Sequence, residues 1–82
     1  MAIPLHAFVR GDTLGLVVLA NESESVDALA ERLARAAAPR VALQGRLVVL
    51  HRGKPLNGQL SLMEAGVAAL DRVDLLTEPE HV

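Results

Sequence analysis

The hydrophobic pattern of this chain changes period twice, and that change limits its fold more than any other feature. From Ile3 to Arg10, Leu5, Ala7 and Val9 alternate with His6, Phe8 and Arg10, the two-residue repeat of a strand. Gly11-Asp12 reads as a turn, because both residues tolerate left-handed or tightly turned backbone. Thr13 to Ala20 is rich in β-branched residues and predicts a second strand, giving an N-terminal hairpin. The polar stretch Asn21 to Glu24 ends it. Val26, Leu29 and Leu33 then fall at i, i+3 and i+7, with Ala30 and Ala37 widening the stripe, which is helical spacing. Ser25 is the expected N-cap, Ser23 its competitor, and Asp27 suits the positive first turn. Arg32 and Arg35 suit the far end of the helix dipole, and Pro39 stops the helix at about Ala37 or Ala38.

The second half returns to strands. Arg46 to His51 predicts a third strand, Arg52-Gly53-Lys54 a tight turn, and Pro55-Leu56 a short edge strand, where the missing proline donor does little harm. Asn57-Gly58 is another turn signal. Leu60 to Gly66 predicts a single helical turn, capped by Ser61 and closed by Gly66. Arg72 to Thr77 is the final strand, and residues 78–82 are a charged tail. The order is strand, strand, helix, strand, short strand, short turn, strand. One domain over residues 1–82 accommodates it as an α+β fold. A mixed four- to five-stranded sheet grasps one main helix on one face, the β-grasp.

Composition adds a demand for cover. Hydrophobic residues make up 51% of 82 residues, yet Phe8 is the lone aromatic. That is more apolar material than so small a domain readily hides, and it points to a permanent protein interface. With no cysteine, neither disulfides nor a Cys-based zinc site can staple the fold. The net charge is -2 and the basic residues are scattered from Arg10 to Arg72, which argues against nucleic-acid binding. Met1-Ala2-Ile3-Pro4 lacks the charged-then-apolar layout of a secretory leader, and no apolar run spans a bilayer. A soluble, cytoplasmic setting is therefore expected.

No chemistry-bearing constellation emerges. Ser23, Ser25 and Ser61 read as cap or turn serines, without a histidine base or a Gly-x-Ser-x-Gly elbow. Gly11, Gly15, Gly45 and Gly53 form no phosphate loop. Glu78-Pro-Glu-His81 has the Glu-x-x-His spacing of a di-iron ligand pair, but it stands alone, contains a proline and lacks facing helices. Met1 and Met63 complete no ligand set with the histidines. No catalytic residue, cofactor site or metal site is expected in this chain.

The stretches Arg46 to Leu56, Gly58 to Leu62 and Arg72 to Leu75, with the helix spacing at Val26, Leu29 and Leu33, resemble ubiquitin. Ubiquitin-like modifiers end in a Gly-Gly carboxylate, whereas this sequence ends Glu78-Pro-Glu-His-Val82, which argues against conjugation. A second resemblance is closer. Pro4-Leu5-His6-Ala7, Leu16-Val17-Val18 and Leu62-Met-Glu-Ala-Gly-Val67 look like the small B component of toluene monooxygenases, the γ subunit of the hydroxylase, with relatives in alkene and isoprene monooxygenases. The resemblance implies a non-catalytic ubiquitin-like subunit. It implies an (αβγ)2-type complex in which the chain docks on the large α subunit beside a β subunit. The carboxylate-bridged di-iron centre would belong to α. A free-standing ubiquitin-like adaptor or modifier is the alternative.

The ubiquitin-like register assigns the two sheet faces. Leu5, Ala7, Val9, Leu16, Val18, Ala20, Leu47, Val49, Leu56, Val73 and Leu75 should face the helix. His6, Phe8, Val17, Leu19, Val48, Leu50 and Leu76 should face away. That outward set is mostly apolar, so these seven are the candidate partner-binding residues. Homodimerisation or a covering loop would also bury them. His6 either hydrogen-bonds across an interface or is an ordinary surface histidine, and His51 reads as structural or solvated.

Overall fold

The computed structural model describes residues 2–78. Its elements are β1 (Ala2–Val9), β2 (Gly15–Asn21), α1 (Val26–Ala37), β3 (Arg46–His51), β4 (Lys54–Pro55) and β5 (Arg72–Glu78). They form a five-stranded sheet in the order β2-β1-β5-β3-β4. The hairpin β1–β2 is antiparallel, with Leu5 opposite Val18 and Ala7 opposite Leu16. β5 inserts beside β1 in parallel, Ala7 facing Val73, and pairs antiparallel with β3, Val49 facing Leu75. A parallel pair at the centre, flanked by antiparallel neighbours, makes the sheet mixed, and α1 crosses one face of it. This is the expected β-grasp.

Alternation in the strands and a stripe on the helix supply the core. Leu5, Ala7, Val9, Ala20, Val49, Val73 and Leu75 from the sheet meet Val26, Leu29, Ala30, Leu33 and Ala37 from α1, all buried. Leu16, Val18, Leu47 and Leu56 pack around them, half-buried. Every residue assigned to the helix side thus lies in or against this core. Ser25 is the N-cap: its hydroxyl accepts a hydrogen bond from the Ala28 amide at 3.1 Å. Asp27 lies in the first turn and Arg35 in the last, as the helix dipole favours.

Several boundaries differ from those expected of the sequence. β2 begins at Gly15, not Thr13, because Asp12 binds the Leu14 amide at 3.1 Å while its own amide bonds the Val9 carbonyl at 2.9 Å. That local turn takes up Thr13 and Leu14 before the ladder starts. β4 is Lys54–Pro55, set by a turn in which Arg52 and Gly53 both have positive φ, 56° and 78°, the twist a two-residue hairpin requires. The stretch 61–66 is a run of turns rather than a regular helix. Ser61 and Glu64 nevertheless form a reciprocal capping box there, with Glu64 N to Ser61 Oγ at 3.1 Å and Ser61 N to Glu64 Oε1 at 3.0 Å. Gly66, at φ 83°, closes it. Glu78, assigned to the tail, instead ends β5 opposite Arg46, and the remainder of the tail lies outside the described residues.

Candidate docking surface

With α1 on one face of the sheet, the other face is available to a partner. Its residues follow from strand parity. β1 places Pro4, His6 and Phe8 there; β2 places Val17 and Leu19; β3 places Val48 and Leu50; β5 places Arg72, Asp74 and Leu76. Register brings them together in rows. Pro4 lies opposite Leu19 and His6 opposite Val17, while Val48 lies opposite Leu76 and Leu50 opposite Asp74.

The face is not uniformly apolar. The Arg72 guanidinium lies 4.2 Å from the Phe8 ring centroid and reaches the Asp74 carboxylate at 3.0 Å. This cation–π and ion-pair arrangement runs up the central strand and divides the face in two. The β1–β2 half is open, with Val17 71% and Leu19 64% exposed. His6 is exposed beside them and Phe8 is at 36%, its ring partly roofed by Arg72. The β3–β5 half is largely self-covered. Leu76 is only 8% exposed, although it stands outside the helix-side core, and Val48 and Leu50 are half-buried. Leu76 sits on the central strand β5, directly opposite Val48 of β3. Of the seven candidate residues, Val17, Leu19 and His6 offer the most surface and Leu76 the least.

Arg72 and Asp74 flank the buried Val73 and Leu75, so strand parity alone places both on this face. Leu70 gave no such signal. It is 67% exposed, holds a positive φ of 69°, and donates its amide to the Pro4 carbonyl at 2.6 Å. A branched residue in the left-handed region is uncommon, and here the amide bond to Pro4 ties that turn to β1.

The remaining polar groups serve the scaffold. His51 is buried, and its Nε2 meets Asp71 Oδ2 at 2.8 Å; the same carboxylate accepts from the Ala68 amide at 3.0 Å. These two contacts, the Ala68 amide foremost, hold the Asp71 carboxyl below the usual range. They pin the 68–71 turn against β3. No group of three or more His, Cys, Asp or Glu among the described residues could hold a metal ion. The Glu78-x-x-His81 spacing runs outside the described residues; Glu78 itself accepts from Arg46 at 2.6 Å. No described helix is long and apolar enough to cross a membrane.

Known proteins share this architecture. No curated protein sequence matches the chain. Among solved structures, a chain of the toluene 4-monooxygenase HD complex with the inhibitor 4-bromobenzoate superposes with a TM-score of 0.87 at 26% identity, covering 95% of this chain and 100% of that one. The ubiquitin of Caldiarchaeum subterraneum gives 0.79 at 17% identity over the full length of both chains. The ubiquitin-like domain of EccD5 from Mycobacterium xenopi gives 0.80 at 21% identity, covering 99% of each. The last two establish the ubiquitin-like fold alone. The sequence model described as toluene-4-monooxygenase system protein B matches residues 2–76, all but a few of the residues described, and the chain therefore belongs to that family.

Proposed function

We propose that this chain is the small, non-catalytic γ subunit of a multicomponent bacterial di-iron monooxygenase hydroxylase, docked on the large catalytic subunit. The observation that carries this reading is its likeness, end to end and at 26% identity, to a chain of a toluene 4-monooxygenase complex. Physical chemistry supports it independently. Val17 and Leu19 are large apolar side chains left exposed on the same face of one strand of a small domain, and such patches ordinarily mark a partner site. His6, Phe8, Val17 and Leu19 would form the centre of the contact, with Val48, Leu50 and Leu76 contributing less.

In this reading the di-iron centre and the substrate pocket belong to the large subunit, and this chain stabilises that subunit's fold. An (αβγ)2-type complex in the cytoplasm is the expected assembly. Co-expression with the neighbouring hydroxylase genes tests it. The chain should co-elute with the large and β subunits in a stable complex, with all iron assigned to the large subunit. A hydroxylase that assembles and turns over fully without this chain, while the purified chain remains monomeric beside it, would refute the proposal.

A further inference from the structure

The two edges of the sheet are β2 and the two-residue β4. β2 is seven residues long, and its sequence Gly15-Leu-Val-Val-Leu-Ala-Asn21 carries no charge and no proline. Proteins ordinarily blunt a long free edge with Lys, Pro, a bulge or a covering segment, because its unpaired amides and carbonyls invite another strand. None of the first three is present in β2.

Register shows which backbone groups are free. The Pro4 carbonyl accepts from the Leu70 amide at 2.6 Å, and the His6 amide donates to the Asp71 carbonyl at 3.0 Å, both on the side away from β2. Pro4–Leu19 and His6–Val17 are therefore the non-hydrogen-bonded pairs of the β1–β2 ladder. The N–H and C=O of Val17 and Leu19 consequently point out from the edge. Arg32 Nη2 reaches the Leu19 carbonyl at 2.7 Å. No described residue bonds the Val17 amide, the Val17 carbonyl or the Leu19 amide.

The surroundings of the edge specify its occupant. On the helix side runs a groove of about 280 Å³ lined by Val18, Leu29, Leu33 and Ala36, with Arg32 and Arg35 at its rim. Arg32 is committed to Glu24, at 2.7 Å, and to Leu19. Arg35 makes no ion pair with any described residue. Because Arg32 reaches Leu19 while Arg40 reaches Asp12, α1 runs antiparallel to β2, and Arg35 lies toward its Gly15 end. A strand laid along β2 would thus meet backbone partners at Val17 and Leu19, an apolar floor on the helix side, and an unpaired cation. A second copy pairing antiparallel through its own β2 would bring Glu22, the residue after the strand's last, toward that end, so self-association is the competing occupant.

We infer that β2 accepts an extended segment of the hydroxylase large subunit as an additional strand. Its alternate apolar side chains enter the β2–α1 groove and a carboxylate meets Arg35. This rests on the proposed function and extends the contact from the sheet face around its open edge. Hydrogen exchange at single amides, compared between the free chain and the reconstituted hydroxylase, tests it. The Val17 and Leu19 amides should exchange rapidly in the free chain and slow by about a hundredfold or more in the complex. Val17→Pro removes a donor that no internal bond uses, and should weaken assembly about tenfold or more; Arg35→Glu should weaken it about fivefold. A complex that forms with both amides still fast overturns the edge proposal and leaves the subunit assignment standing. Protection that appears in the chain alone, through self-association, also overturns it. If no complex forms at all, both fall.

Discussion

Asp12 and Arg40 lie 28 positions apart and meet through both carboxylate oxygens, with Nε at 3.0 Å from each and Nη2 at 2.8 Å from Oδ2. The Asp12 carboxylate is 1% exposed, and the guanidinium covers it. This contact fastens the β1–β2 turn to the segment just after α1, so it closes the sheet and helix layers at one end. Loss of the arginine would leave an enclosed carboxylate without its fork-shaped donor, the costlier way to break such a pair. Arg40→Met should therefore lower Tm by more than Asp12→Asn, and the double variant should fall short of the sum. Thermal unfolding of the three variants measures this.

Acid should destabilise the fold through three carboxyls. Asp12 is held below the ordinary 3.8 chiefly by the Arg40 hydrogen bond, Asp71 below 3.8 chiefly by the Ala68 amide, and Glu64 below 4.5 chiefly by the Ser61 amide. Each is a weaker base when folded than when unfolded, so unfolding takes up protons. Their stabilisation is complete above the unfolded values and is lost as pH falls through the lower folded ones. Urea midpoints should be flat from about pH 7 to 5 and should decline below about pH 4.5. Asp71→Asn should shallow that decline, as should Glu64→Gln. A decline beginning near pH 6 would mean that some other group controls it.

The helix cap should carry measurable stability. Ser25 accepts from the Ala28 amide, and without its hydroxyl that donor at the start of α1 loses its partner. Ser25→Ala should cost about 1 kcal/mol. Leu33→Ala, at a position that is fully buried beneath the sheet, should cost about 2–5 kcal/mol, enough to threaten folding of so small a chain. Denaturant unfolding separates the two.

Local chemistry was legible in the sequence and long-range placement was not. The Ser25 cap, the end of α1 before Pro39 and both ends of β3 could be read because each depends on a few adjacent side chains. The face assignment held for the helix side because strand parity is strict once one register is fixed. Leu76 shows the limit: parity put it outside, but its burial depends on the strands that lie beside β5. Asp12–Arg40, the Arg72–Phe8 stack and the left-handed Leu70 depend in the same way on the assembled sheet.

Gly58 illustrates a constraint of that long-range kind. A Cβ placed there would overlap the Asp27 carboxylate, and the Gly58 carbonyl accepts from the Asp27 amide at 3.0 Å. The loop before Ser61 is thus packed directly on the first turn of α1. Gly58→Ala should destabilise the chain, and Asp27→Ala should relieve most of that loss by removing the obstructing group. Additive effects in the double-mutant cycle would show that the clash is absorbed elsewhere.

The two halves of the outer sheet face should respond differently to charge. Val17 and Leu19 are exposed, so Val17→Lys and Leu19→Lys should leave the isolated chain within about 0.5 kcal/mol of its starting stability. In the hydroxylase complex each would bury an ammonium without a partner, and affinity should drop about tenfold or more. Leu50 is half-buried beside Asp74, so Leu50→Lys should lower the stability of the free chain while weakening assembly less. Paired melting and binding measurements on the three variants distinguish the halves. If Leu50→Lys weakens binding most, the partner sits on the β3–β5 half instead, beyond the ridge formed by Arg72 and Asp74.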